Sequence, residues 1–276
     1  VFIVLKKFFG IILSASMIFT ATAFAQSCDV QIEGDHGKLS AVVQTPDNKN
    51  NFPIVIICHG FTGNKDSDLL KNLSDELENR GIASIRFDFN GHGKSEGNFQ
   101  DMTVWNEIED AKKVYDYAKN ISGVTSVSMA GHSQGGVVTS MVAGELGASK
   151  IKAIALMAPA AVLRDDAIRG ILQGTTYNSI DVPEYVEVFG NHKVGRNYIL
   201  TAQKLPIYET AKKFTGAAFM IHGTADIIVP YTYSLRYHEI YKNSELKLLE
   251  GFDHGFSQDT KQVAKFVAEY FAKQLK

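Results

Sequence analysis

Short β-branched runs alternate with helical stripes along most of the chain, the pattern of a mainly parallel sheet covered by helices. Lys38–Gln44 alternates apolar with polar positions and predicts an early strand. Pro53–Cys58 (PIVIIC) is apolar throughout, which suits a strand buried on both faces. A helix is predicted over Asp66–Arg80, stopped by Gly81, and a strand over Ile82–Phe87. Val104, Ile108, Ala111, Val114, Tyr115 and Ala118 form one apolar stripe of a helix spanning Met102–Lys119. The strand Val124–Met129, the helix Gly135–Leu146 and the strand Ile151–Met157 continue the rhythm.

From about 162 to 206 the rhythm breaks into irregularly ordered Asp, Gly, Tyr and Asn. A stretch this long is better read as an inserted lid than as a plain loop. Alternation resumes with the strand Ala217–Ile221, a helix near Tyr231–Tyr241, the strand Glu245–Leu249 and a last helix over Gln258–Gln274. The expectation is one α/β domain over 26–276 carrying that insertion.

The amino-terminal residues have a different character. Lys6 and Lys7 precede a mostly apolar run from Phe8 to Phe19, followed by Ala23-Phe24-Ala25, a small-x-small cleavage pattern. Residues 1–25 therefore read as an export signal, and the mature protein as secreted or periplasmic. The apolar run is short for a bilayer span, so no stable membrane span is expected after processing. Cys28 lies just behind the cleavage position; lipidated, free and disulfide-bonded states all stay open for it, whereas Cys58 reads as a buried small hydrophobe.

Composition narrows the function classes. The 276 residues are 45% hydrophobic and 21% charged, with a formal net charge of −2. This is globular composition without the basic field that holds nucleic acid. No CxxC, HExxH or paired Cys/His spacing suggests a metal, and no cofactor is expected. Gly93-Lys94-Ser95 resembles the end of a phosphate-binding loop, but Asp88 stands where that loop needs its first glycine. Asn90–Gly93 reads instead as a turn at the sheet's carboxyl edge.

The chemistry concentrates at three places. Gly131-His132-Ser133-Gln134-Gly135 fits G-x-S-x-G between a strand and a helix, the setting of a nucleophile elbow. Serine needs a base, and on this kind of sheet the order is Ser, Asp, His. Asp226 lies just beyond one strand and His254 just beyond the next, so Asp226 is assigned to orient His254, and His254 to take the Ser133 proton. Asp253 is the rival acid; His222, the rival base, reads as a structural residue at a strand end. A tetrahedral intermediate needs two donors, assigned to the backbone N–H groups of Gln134 and of Phe61 in the loop His59-Gly60-Phe61-Thr62-Gly63.

With these residues placed, the sequence resembles the α/β-hydrolase serine esterases, and among them the bacterial feruloyl (cinnamoyl) esterases of gut microbes. The motifs that carry the resemblance include HGFTGNK at 59–65, DFNGHGKSEG at 88–97, MTVWNEIEDA at 102–111, GHSQGGVV at 131–138, LPIYE at 205–209, IHGTAD at 221–226 and EGFDHGFS at 250–257. The resemblance implies an α/β-hydrolase fold with a lid over the serine. It also implies polar lid residues, here Asp166, Gln173 and Tyr198, that hold the phenolic hydroxyl of a hydroxycinnamoyl group. The implied partner is a small-molecule ester or a feruloylated oligosaccharide; oligomeric state is left open. The competing readings are a general carboxylesterase for short aliphatic esters, a peptidase, or an inactive binding module on the same scaffold.

Overall fold

The computed structural model describes residues 26–47 and 49–276; the export-signal reading falls outside them. Eight strands form one sheet. They are β1 (Gln26–Glu33), β2 (Lys38–Thr45), β3 (Phe52–Cys58), β4 (Ala83–Phe87), β5 (Val124–His132) and β6 (Ile151–Met157), with the late pair Ala217–Gly223 and Ser244–Leu249. Between them lie α1 (Asp68–Glu78), α2 (Val104–Ala118) and α3 (Gln134–Leu146). The segment after β6 holds α4 (Val162–Arg169), β7 (Ile171–Leu172), β8 (Thr175–Thr176), β9 (Tyr185–Val188), β10 (His192–Gly195) and α5 (Arg196–Ala202). Then follow α6 (Ile207–Ala211), β11 (the Ala217–Gly223 strand), α7 (Thr232–Ile240), β12 (the Ser244–Leu249 strand) and α8 (Thr260–Gln274).

The sheet order is β1-β2-β4-β3-β5-β6-β11-β12. β2 runs antiparallel to both its neighbours, and the remaining pairings are parallel. The continuous apolar run of β3 is sorted by parity, as a pleated strand demands. Ile54, Ile56 and Cys58 pack toward α2 and α3, while Val55 and Ile57 pack toward α1 and α8. Side-chain caps start two of the long helices: Thr103 accepts from Asn106 N–H before α2, and Asp259 from Gln262 N–H before α8.

Most expected elements are present, with edges moved. α1 starts at Asp68 rather than Asp66, because Asp66 is engaged elsewhere: its N–H donates to Asn64 Oδ1 and its carboxylate meets Arg86. β5 continues to His132, past the expected end at Met129, and delivers Ser133 directly at the turn. β1 was not anticipated; it is a polar edge strand paired residue for residue with β2. Cys28 on this edge and Cys58 in β3 are both free thiols. The 88–97 turn is built around Asp88, whose carboxylate accepts from the Lys65 and Lys94 backbone N–H groups and the Lys65 ammonium. A carboxylate therefore occupies the cradle that a phosphate would need. Among the described residues, no helix is long and apolar enough to cross a membrane.

Candidate active site

Four parallel strands, β3, β5, β11 and β12, end on the same edge, where open α/β sheets collect their ligands. The turn between β5 and α3 holds Ser133 at φ 55°, ψ −123°, a conformation that non-glycine residues rarely adopt. Met157 and Ala160 pin this turn through backbone hydrogen bonds of 2.9 and 3.0 Å to Ser133 N–H and C=O. The flanking glycines are required by close approach. A Cβ on Gly131 would collide with the Gly135 carbonyl, and one on Gly135 with the His59 carbonyl.

Ser133, His254 and Asp226 come together in a hydrogen-bonded series. Ser133 Oγ lies 2.9 Å from His254 Nε2, and His254 Nδ1 lies 2.7 Å from Asp226 Oδ2. With the carboxylate as acceptor, Nδ1 carries the proton and Nε2 is left as an acceptor facing the serine hydroxyl. Asp226 is buried, which by itself disfavours its charge. Hydrogen bonds from His222 and His254, and from the Val229 backbone, outweigh that and hold its carboxyl well below the usual range. The rival acid Asp253 turns away from His254, accepting from the backbone N–H and hydroxyl of Ser257.

The loop after β3 lies beside the serine: a Cβ on Gly60 would stand 2.8 Å from Ser133 Cβ. His59 fixes this loop, donating from Nδ1 to Gly60 C=O at 2.8 Å and accepting Phe89 N–H at Nε2 at 3.1 Å. Gln134 is the first residue of α3, so its N–H has no partner within the helix. Phe61 and Gln134 both line the serine's cavity, which suits them as a pair of oxyanion donors.

That cavity measures about 460 Å³ and also takes in Asp166, Gln173 and Tyr198, so the three lid residues share one chamber with Ser133. Apolar walls come from Leu163, Leu172 and Val229. Asp166 sits on α4, where burial raises its carboxyl above the ordinary value. Gln173 and Gly174, at φ 48° and 80°, form the two-residue turn between β7 and β8 that aims the hairpin tip at the serine. Tyr198 is buried and donates its hydroxyl to Gln134 Oε1 at 2.7 Å. A second chamber of about 570 Å³ opens on the other side of Ser133, past His254 and the start of α1. Phe189, exposed at the tip of the β9–β10 hairpin, borders both.

Sequence reasoning missed several residues of this neighbourhood. His132 is half-buried and donates from Nε2 to the His254 carbonyl at 2.9 Å; desolvation, then the neighbouring His254, push its imidazole down to about 4. Glu107 is buried beside Gln134. Its sequence signal was available: it falls three residues after Val104 and four before Ala111, on the apolar stripe of α2, where a carboxylate is out of place.

With the geometry in place, comparison with known proteins assigns the class. The chain belongs to the α/β-hydrolase family of serine hydrolases. A family model described as Hydrolase_4, serine aminopeptidase S33, matches residues 49–181. Est1E from Butyrivibrio proteoclasticus, solved with ferulic acid bound, is 32% identical with a TM-score of 0.85. The alignment covers 89% of this chain and 98% of Est1E. Human protein ABHD12B is 27% identical over 237 residues, which is 82% of this chain and 62% of that protein. Rat lysophosphatidylserine lipase ABHD12 is 34% identical over 94 residues, 34% of this chain and 23% of the lipase. The chain thus spans less than two thirds of the length of the curated relatives it matches.

Proposed function

We propose that this protein is a serine esterase that hydrolyses hydroxycinnamate esters, releasing ferulic-type acids from plant cell-wall or other phenolic esters. One observation carries the reading: a Ser133–His254–Asp226 series opens into a chamber with apolar walls whose polar lining includes Asp166, Arg169, Gln173 and Tyr198. A flat aromatic acyl group wants an apolar slot with a few polar groups to orient it. The ferulic acid seen in Est1E supports the same acyl class.

In this mechanism His254 takes the Ser133 proton as Oγ attacks the ester carbonyl, and Asp226 stabilises the imidazolium that forms. The Phe61 and Gln134 N–H groups hold the tetrahedral oxyanion. Collapse expels the alcohol toward the second chamber, with His254 returning its proton, and leaves a hydroxycinnamoyl ester on Ser133. Water, activated by His254, then hydrolyses that ester. The segment 162–206 acts as the lid that supplies the acyl chamber. The basic, apolar and Ala-Phe-Ala pattern of residues 1–25 supports export to where such esters occur.

The test is hydrolysis of methyl ferulate against ethyl butyrate by the protein from residue 26 onward and by Ser133→Ala. Preference for ferulate with a dead variant supports the reading. Preference for butyrate replaces it with a general carboxylesterase. The name of the matched family model makes an aminoacyl-peptide substrate the third arm of the same assay.

A further inference from the structure

Three buried side chains from three separate elements are joined end to end behind the serine. Tyr198 on α5 donates its hydroxyl to Gln134 Oε1 at 2.7 Å, and Gln134 Nε2 donates to Glu107 Oε2 on α2 at 2.8 Å. Met102 Sδ lies 3.7 Å from the same amide nitrogen. Glu107, Gln134 and Tyr198 are 1%, 2% and 3% exposed, so water does not compete for these bonds. The far oxygen of Glu107, Oε1, is buried with no partner.

A carboxyl group in this position is poor packing. It occupies an apolar stripe, leaves one oxygen unsatisfied and stands near a second acid on its own helix, Asp110, so a leucine or methionine would be cheaper to bury. What it supplies is an acceptor for Gln134. That residue is the one after the nucleophile and lines the cavity of Ser133, and oxyanion donors must hold their place to within about 0.5 Å. Fixing the Gln134 amide at both ends locks its rotamer and the start of α3 with it.

The chain also has a direction. Glu107 fixes the amide nitrogen of Gln134, so the amide oxygen faces Tyr198 and captures its proton. The Tyr198 oxygen then has only lone pairs to offer a ligand, and it accepts rather than donates. A phenolic O–H in the acyl chamber satisfies such an acceptor; a methoxy group does not.

We propose that Glu107 is a positioning residue for ester hydrolysis, acting through Gln134 on the oxyanion-side backbone donor and on the hydrogen-bond polarity of Tyr198. The inference rests on the esterase reading above. Burial pushes the Glu107 carboxyl up to about 8; with its proton on the unpartnered Oε1, Oε2 stays the acceptor for Gln134 and no full negative charge stands beside that amide.

The experiment compares methyl 4-hydroxycinnamate, methyl 4-methoxycinnamate and p-nitrophenyl acetate as substrates of wild type, Glu107→Gln, Glu107→Leu and Tyr198→Phe. Glu107→Leu is expected to lose about tenfold or more in kcat on all three esters, the range seen when an oxyanion donor is disturbed. Its preference for the hydroxy over the methoxy ester collapses as well. Glu107→Gln, which keeps a neutral acceptor, restores kcat to within about threefold and keeps the preference. A merely structural role would not move that substrate ratio.

If Glu107→Leu folds and keeps kcat and the ratio within about twofold of wild type, the inference is overturned. Should Glu107→Leu fail to fold, Tyr198→Phe decides. Cutting the other end of the chain is expected to slow even p-nitrophenyl acetate, whose acyl group carries no ring to contact position 198, and unchanged acetate turnover overturns the inference. A wild type that cleaves none of the esters overturns the esterase reading, and this inference with it. A wild type that cleaves them with unaltered variants sinks the Glu107 role alone.

Discussion

His222 and His254 converge on one oxygen: Asp226 Oδ2 accepts from His222 Nε2 at 3.0 Å and from His254 Nδ1 at 2.7 Å. Oδ1 is occupied by the Ile228 and Val229 backbone N–H groups at 2.9 and 2.8 Å. His222 is itself held, its Nδ1 accepting the Ser234 hydroxyl at 2.7 Å. The aspartate therefore has no freedom to leave His254, and the strand-end histidine sets its orientation. His222 borders neither chamber.

Removing His222 should act on turnover and not on substrate binding. A hydrogen bond to a charged group contributes about 1.5–3 kcal/mol, so His222→Ala should lower kcat roughly 10- to 100-fold with KM little changed. Steady-state kinetics on methyl ferulate checks this. A rise in KM at constant kcat would place the effect in the acyl chamber instead. Stability shifts too. Asp226, held below its unfolded value, stabilises the fold above about pH 4, and that contribution is lost as pH falls through the folded value. His222→Ala should make this acid-side loss smaller.

The backbone of Ser133 supplies a second test. A non-glycine residue at φ 55°, ψ −123° carries strain on the order of 1–3 kcal/mol. Glycine relieves the strain but loses more chain entropy on folding. Ser133→Gly should still melt a few degrees above Ser133→Ala, since about 1 kcal/mol shifts Tm by roughly 2–4 °C at this size. Both variants should lose roughly 10⁴-fold or more in kcat. Equal melting temperatures would limit the strain to about the 0.5–1 kcal/mol that glycine loses in chain entropy.

Much of this site was legible in the sequence because its parts are local. Gly131–Gly135 sits between a readable strand and helix, and Asp226 and His254 each lie shortly after a segment legible as a strand. The buried strand β3 announces itself by an unbroken apolar run, and β6 by one interrupted only at exposed Lys152. β1 did not, because an edge strand needs few apolar residues to pair with β2. The ribbons of 162–206 are two to four residues long, too short to establish a period of two. The bonds of His132, His222 and Glu107 join residues whose roles depend on which side chains meet in space. Periodicity carries no such information.

Histidines held below their ordinary value in the fold, His59, His92 and His132, give the protein an acid weakness. His132 titrates near 4 in the fold against about 6.5 when unfolded, and burial likewise lowers His59. The unfolded chain therefore takes up protons first as pH falls below about 6.5, and their contribution, complete above that pH, erodes toward 4. Glu107, pushed up to about 8, acts in the opposite sense and gains stability as pH falls, so the histidine share is read as a difference between proteins. Between pH 7.5 and 5 the urea midpoint of His132→Asn, which cannot charge, should rise relative to that of wild type. A constant difference between the two across that range would exclude His132 as a source of acid sensitivity.

Asp166 tests the acyl chamber where it is most specific. Its half-buried carboxyl lines the cavity with Ser133 and Arg169, and burial raises it above the ordinary value, so it offers an acceptor to a ligand's donor. A phenolic hydroxyl satisfies it; an acyl group without one leaves it unpaired, which costs about 1–3 kcal/mol. Wild type should therefore favour methyl ferulate over unsubstituted methyl cinnamate by roughly 10-fold or more in kcat/KM. Asp166→Ala removes the group that is left unpaired, so the variant should lose activity on ferulate and approach equal treatment of the two esters. Ethyl butyrate, which carries no ring, should be hydrolysed as before. If the ferulate preference survives the substitution, recognition of the phenol lies with Gln173 and Tyr198, and the pair should be exchanged next in the same assay.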